Sequence, residues 1–292
     1  MKDCDGCRDL RKELGKAKLG LHHENPSLFV KSQWFIPKIF IFWVVFWMLY
    51  YAAMLGLDIY YNYELGSEYF IYLTNWSYLL QAAHVFLDFG VTVFTHNKRR
   101  DIRDSLATGT PWYIKVLWVF FNVNNVISLL VTTVYYALLE PEFNHGSINK
   151  HLLNTIYTLF NLVFCAKPVQ MLHFYQPMIF GFLYLLFSII YHLLGYAPIY
   201  EVVDWSNTGK TSLLVCVLIF VGIPLLHLVC FSIQTLRLFI SWKWKCSGAK
   251  VSDNEHMKRG VTTRDVELHE TAKSTKAAVT APNTVKPDSE QA

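Results

Sequence analysis

Charge is missing from long stretches of this sequence: residues 39–57, 69–87, 116–139 and 211–236 pass without one Asp, Glu, Lys or Arg. Charged residues make up 16% of the 292, against 53% hydrophobic and 16% aromatic, which excludes an ordinary soluble domain of mixed charge. Several chemical signatures are absent as well. Gly209-Lys210-Thr211 lacks the upstream glycine and strand of a phosphate loop. The net charge of +4 is concentrated in particular loops rather than on one face, so no nucleic-acid partner is expected. His22, His23, His173 and His192 share no face with carboxylates at metal-ligand spacing, so neither a metal nor a cofactor is expected. Cys4 and Cys7 form a CxxC with no second pair. With Cys165, Cys216, Cys230 and Cys246 they fall in helices or on the cytosolic side, which argues against disulfides. Cys246, in a Lys-rich stretch, is a candidate for palmitoylation. No cleavable leader is visible, because the first apolar run begins only near Pro37, and that run is read as a retained anchor. No internal repeat is evident, which weakens a transporter built from duplicated halves.

What is there is a series of apolar runs near the length, about 20 residues, that crosses a bilayer as a helix. They lie at about Pro37 to Leu57, Tyr69 to Phe94, Tyr113 to Leu139, His151 to Ala166, Pro177 to Tyr196 and Ser212 to Ile240. The fourth is short and polar. Arg8, Arg11, Lys12, Lys16, Lys18, Lys31 and Lys38 precede the first run. Lys98, Arg99, Arg100 and Arg103 follow the second, and Lys243, Lys245 and Lys250 follow the sixth. By the positive-inside rule these segments belong in the cytosol. The intervening loops carry Asp58, Glu64 and Glu68, then Glu140 and Glu142 against Lys150, then Glu201 and Asp204 against Lys210, and face the lumen or exterior. The alternation requires an even number of spans. The expected architecture is therefore an all-α, polytopic integral membrane protein, a six-transmembrane-helix bundle with both termini cytosolic. Residues 1–36 form the cytosolic N-terminal segment, 37–240 the transmembrane domain, and 241–292 a tail too polar to fold. Trp34, Trp43, Tyr60, Tyr61, Trp112, Trp205, Trp242 and Trp244 crowd the ends of the runs as interfacial anchors.

Polar groups in hydrocarbon need a partner or a function. In the second run Thr74, Ser77, Gln81, His84 and Asp88 recur every three or four residues, so they share one helical face. His151, Asn154, Thr158 and Asn161 do so in the fourth, and Asn122, Asn125, Ser128 and Thr132 in the third. One reading of this seam is interhelical glue. Another is a site: one turn separates His84 from Asp88, which lets the carboxylate orient the imidazole as in proton relays. A second candidate pair is Thr74, about 7 Å below the outer surface, and His151 at the outer end of the fourth run. A neutral His within reach of a Thr hydroxyl can remove its proton and make it a nucleophile, which permits lipid acyl transfer. Asn75-Trp76-Ser77 is a glycosylation sequon inside a span and out of the transferase's reach. His227 follows Pro224, where a kink would free a backbone carbonyl for it.

Some segments are familiar: Ser32-Gln33-Trp34, the run Tyr69 to Trp76 with its Tyr-Leu-Thr-Asn-Trp, Leu172-His173-Phe174, and Ile199 to Ser206 with its Asp-Trp-Ser, followed by Gly209-Lys210-Thr211. From about Arg8 to Lys245 the chain resembles the rolling stone family of animals, named for an insect membrane protein implicated in myoblast fusion. The resemblance implies a plasma-membrane protein, rather than one of the endoplasmic reticulum, acting in cell fusion or muscle development, and brings no biochemical activity. More remotely, Tyr72-Leu73-Thr74 and His151 resemble the Thr and His of the androgen-induced membrane hydrolases, which cleave fatty acid esters of hydroxy fatty acids. That resemblance implies Thr74 as nucleophile, His151 as base and a lipid ester as substrate. Asn144-His145 departs from the spacing of those hydrolases and makes His145 a competing base. Two readings of different class stand open, a non-enzymatic fusion protein and an intramembrane threonine hydrolase, with a small transporter or channel behind them.

Overall fold

The structure is a computed structural model that describes residues 15–34, 37–139, 145–244 and 246. The chain divides into two compact units, Met1–Phe239 and Ile240–Ala292, and the packed bundle belongs to the first. Cys4, Cys7 and the tail from Ser247 lie outside the described residues.

Without water to satisfy N–H and C=O groups, an apolar run in a bilayer must pair its backbone within itself, and an α-helix does so. The apolar runs form α1 (Pro37–Asn62), α2 (Leu73–Lys98), α3 (Trp112–Leu138), α4 (Asn154–Phe164), α5 (Tyr175–Leu193) and α6, which opens as Thr208–Val217. After a π-helical turn at Leu218–Gly222, α6 resumes at residue 223. Five helical stretches are long and apolar enough to cross a membrane: Ile39–Ile71, Leu73–Lys98, Trp112–Leu138, Met171–Leu193 and Trp205–Trp244. The short fourth run is not among them. It is nonetheless helical over residues 145–164, because the turn His145–Ser147 and a π-helical stretch Ile148–Leu153 lead into α4.

The helices differ in what they face. In α3, 78% of the apolar window is buried, against 17% in the stretch that contains α1. Accordingly α3 is the central post, with Leu117, Trp118, Phe121, Val126 and Ile127 in the core, and it packs against α2, α4 and α5. On α1, Phe42, Phe46 and Leu49 recur at helical spacing and stay exposed, an apolar stripe turned outward. The ends of the runs differ from those expected by apolarity. Residues Tyr63–Ile71 form 3-10 turns broken at Gly66, whose φ of 51° favours glycine, so α2 starts at Leu73. Gly195, with a φ of 84°, terminates α5 by donating its N–H to the His192 carbonyl at 2.9 Å.

Two segments that read as polar connections are built into the bundle. In the N-terminal segment, Asn25 caps the 3-10 helix Pro26–Val30 through Ser27 N–H, and Phe29 and Val30 enter the core beside Trp118. This segment joins the α2–α3 connection: His23 N–H donates to Thr110 at 2.8 Å, and the Ser27 and Ser105 hydroxyls meet at 2.8 Å. Farther along, Gln33 N–H donates to the Phe164 carbonyl and Ala166 N–H to the Lys31 carbonyl. The second segment is 165–170, the buried connection after α4. Its backbone lacks a helix to satisfy it, and side chains do so instead. Trp118 Nε1 donates to the Pro168 carbonyl at 2.8 Å, Val169 N–H bonds to Gln234, and His227 Nε2 donates to the Gln170 carbonyl at 2.8 Å. His227 thus serves this connection and not a carbonyl freed by Pro224 in its own helix. Irregular backbone at this depth is stable only because protein surrounds it.

Candidate functional site

The seam inferred from helical spacing is a buried polar column. On α2, Ser77, Gln81, His84, Asp88, Thr92 and Thr95 are all buried, facing Asn124, Asn125 and Ser128 of α3 and Asn154, Thr158 and Asn161 of α4. Two ion pairs hold it, at different levels.

At the end where α1 finishes, Lys150 Nζ lies 2.7 Å from Asp58 Oδ1 and donates to Asn75 Oδ1 at 2.8 Å. Its ammonium also approaches the rings of Tyr69 and Tyr78, at 4.9 and 5.7 Å. Tyr69 donates its hydroxyl to Asp58 Oδ2, and Asn62 Nδ2 to Oδ1 at 2.9 Å. The acidic loop read as lacking a base therefore takes one from the loop between α3 and α4. Asn75, the sequon asparagine, is spent in this cluster, with Nδ2 on the Tyr69 carbonyl at 2.7 Å.

From there the bonds continue inward. Tyr50 donates to Asn149 Oδ1 at 2.8 Å and Asn149 Nδ2 to the Tyr78 hydroxyl at 3.0 Å. Tyr51 donates to Asn154 Oδ1 at 3.2 Å, Asn154 Nδ2 to Ser128 Oγ at 3.4 Å, and Ser128 to Gln81 Oε1 at 3.0 Å. This is the hydrogen-bonded glue expected of small polar residues between membrane helices.

Deeper along α2, Asp88 has a partner other than the one expected of a relay. Its Oδ2 holds Lys167 Nζ at 2.7 Å, and Lys167 is fully buried between the rings of Phe40 and Phe121. Among the described residues neither nitrogen of His84 has a hydrogen-bond partner; its ring packs on Phe121 and Tyr157 at 5.9 and 6.2 Å. The carboxylate one turn away is drawn to the stronger partner, a full positive charge. Sequence reasoning missed Lys167 because it directly follows an apolar run, where a lysine ordinarily reaches out to the headgroups. Asn125 is buried with both amide atoms unpartnered among the described residues.

The expected nucleophile and base occupy different surroundings. Thr74 is the second residue of α2. Across from it, the Tyr200 hydroxyl accepts from Leu73 N–H at 3.0 Å and interacts with Thr74 through both its backbone and its side chain. Tyr200 thereby caps the helix start, and burial of its ring raises the phenol's pKa above its ordinary value. His151 lies in the π-helical stretch, its ring stacked on Tyr135 at 3.7 Å and 6°. Among the described residues no hydrogen bond joins Thr74 to a histidine. His145 opens the helical turn ahead of the π-helical stretch. Thr74 and Tyr135 nevertheless border one cavity of about 110 Å³ between α3, α5 and α6, which is otherwise mostly apolar.

The basic connection after α2 is partly self-neutralised. Arg99 Nη2 pairs with Asp101 at 2.7 Å, and Arg103 Nε with Asp104 at 2.8 Å, holding both carboxyls below their ordinary range.

Protein rolling stone of Drosophila melanogaster is 26% identical over 255 residues, covering 80% of this chain and 90% of the relative. No solved structure matches. The family model described as protein rolling stone matches residues 2–249, and this multipass membrane chain belongs to the rolling stone family.

Proposed function

We propose that this protein is a non-enzymatic cell-surface protein that acts in cell fusion, myoblast fusion and muscle development in particular, through a six-crossing bundle with both termini in the cytosol. The fusion role rests on the family's implication. The observation that carries the non-enzymatic part is the setting of Thr74: its neighbour is the Tyr200 hydroxyl that caps α2, and a phenol of raised pKa is no base for a threonine.

Contacts at both ends of residues 145–170 support the sixth crossing. Lys150 is bound to Asp58 and Asn75, where α1 ends and α2 begins. Phe164 and Ala166 are bound to Gln33 and Lys31, in the segment that also joins the α2–α3 connection. The stretch therefore runs from the end where α1 finishes to the level of Asp88, where Lys167 meets that carboxylate and the N-terminal segment joins the stretch. Its polar face suits an interior position, where neighbouring helices satisfy it.

The test is labelling of intact cells with a membrane-impermeant maleimide, in a background whose native cysteines are replaced by alanine. Ser206→Cys should react on intact cells, and Asp104→Cys only after permeabilisation. Reaction of both or neither on intact cells overturns the proposal: with five crossings the two positions share a side, and an internal membrane hides both.

A further inference from the structure

We propose that the cavity bounded by α3, α5 and α6 is a binding site for a single lipid acyl chain, which enters tail first and leaves its polar end at the hydroxyls of Thr74 and Tyr200. Such binding is independent of a role in fusion and requires no bond cleavage.

Helical register places the lining. On α3 the wall runs from Ile127 to Leu139, 12 residues or about 18 Å along the axis. On α5 it runs from Phe180 to Ser188, and on α6 from Val215 to Ile223. The lining is drawn out along the helix axes as a slot, the shape that an extended alkyl chain fills. Polarity is confined to one end. Thr74 starts α2, Tyr135 lies near the end of α3, Ser188 near the end of α5, and Tyr200 in the connection beyond. The deep end, formed by Ile127, Leu130, Phe180, Ile219 and Ile223, is wholly apolar. Most of the hydroxyls are already engaged: Tyr184 donates to the Ile71 carbonyl at 2.8 Å, and Ser188 accepts from Trp205 Nε1 at 2.7 Å. Tyr200 accepts from Leu73 N–H and interacts with Thr74, and a hydroxyl has three hydrogen-bonding positions, so this pair keeps capacity to meet a polar end.

Two further features mark the slot as a built site. A π-helical turn, Leu218–Gly222, forms part of the α6 wall, an irregularity common at functional positions. Gly181 on the facing wall lets α5 pack closely on α6 beside the slot, since a Cβ there would approach Ile223 Cδ1 at 3.1 Å. A dry apolar void forfeits dispersion contacts along its whole lining, and an apolar guest restores them. Only 22% of the apolar window is buried in each of the two outer stretches, so α5 and α6 face hydrocarbon, and a lipid tail needs no passage through water.

The experiment uses the full chain in phosphatidylcholine nanodiscs with a palmitic acid analogue that carries a mid-chain diazirine and a terminal alkyne. After photolysis, peptides from residues 127–139, 180–188 and 215–223 should carry adducts that unlabelled palmitate competes away. Adducts at Phe42 and Phe46, on the outward stripe of α1, should resist competition. Val134→Phe and Val203→Trp, which fill the slot from two different elements, should each lower the competable adducts about tenfold while the protein melts no earlier. Equal competition at the slot and at Phe42, or full labelling in both folded variants, overturns the proposal. Competition by cholesterol and not by palmitate overturns it in favour of a sterol. The competition arm uses the unaltered protein and stands even if a variant fails to fold.

Discussion

Lys167→Met is expected to lower stability by about 3–5 kcal/mol, because it strands the carboxylate of Asp88 in the bundle with no charge to answer it. The methionine retains most of the apolar volume against Phe40 and Phe121, so packing loss contributes little. Asp88→Asn with Lys167→Met should recover most of the loss, since removing both charges of a buried pair is often neutral. The measurement is thermal unfolding of the detergent-solubilised protein. If the single variant melts with the wild type, the pair is not the buried ion pair described here.

Arg237→Leu is the second large effect. In the wild type Arg237 Nη1 donates to the carbonyls of Leu162 at 2.6 Å and of Cys165, and Nη2 donates to that of Lys167 at 3.0 Å. All three belong to the end of α4 and the irregular connection after it. A buried acceptor left without a donor costs about 1–3 kcal/mol, so the loss should exceed about 3 kcal/mol. Arg237→Lys should fall between, as a single ammonium cannot span acceptors that a planar fork reaches together. The two sites share the backbone of Lys167, so the losses from Lys167→Met and Arg237→Leu should combine non-additively in the same melting experiment.

These two residues mark where sequence reading runs out. The polar face of α2 was legible because Ser77, Gln81, His84 and Asp88 repeat every three or four residues, and helical geometry leaves them one direction in which to point. Helix positions were legible to within a few residues for the same kind of reason, although Gly66 and the 3-10 turns around it delay α2 past the apolar boundary. Lys167 and Arg237 gave no such signal. Whether a basic residue just beyond an apolar run, or in its last turn, reaches out to headgroups or turns inward depends on a partner elsewhere in the chain, and no local pattern records it. The N-terminal segment failed for a related reason. Phe29 and Val30 are too few apolar residues to form a run, and their burial depends on Trp118, far along the chain. As for the candidate pair, spacing placed Thr74 and His151 near one end of the bundle and could not show whether they touch. Tyr200, which stands at Thr74 instead, comes from a connection whose path spacing does not determine.

A non-enzymatic role requires that Thr74 support no chemistry. The most direct test is rescue of fusion in myoblasts that lack the endogenous family member, with wild type and Thr74→Ala expressed at equal surface levels. Both should restore multinucleate cells equally. A Thr74→Ala protein that reaches the surface and fails to restore fusion, while wild type succeeds, would contradict that role and return Thr74 to the part of nucleophile.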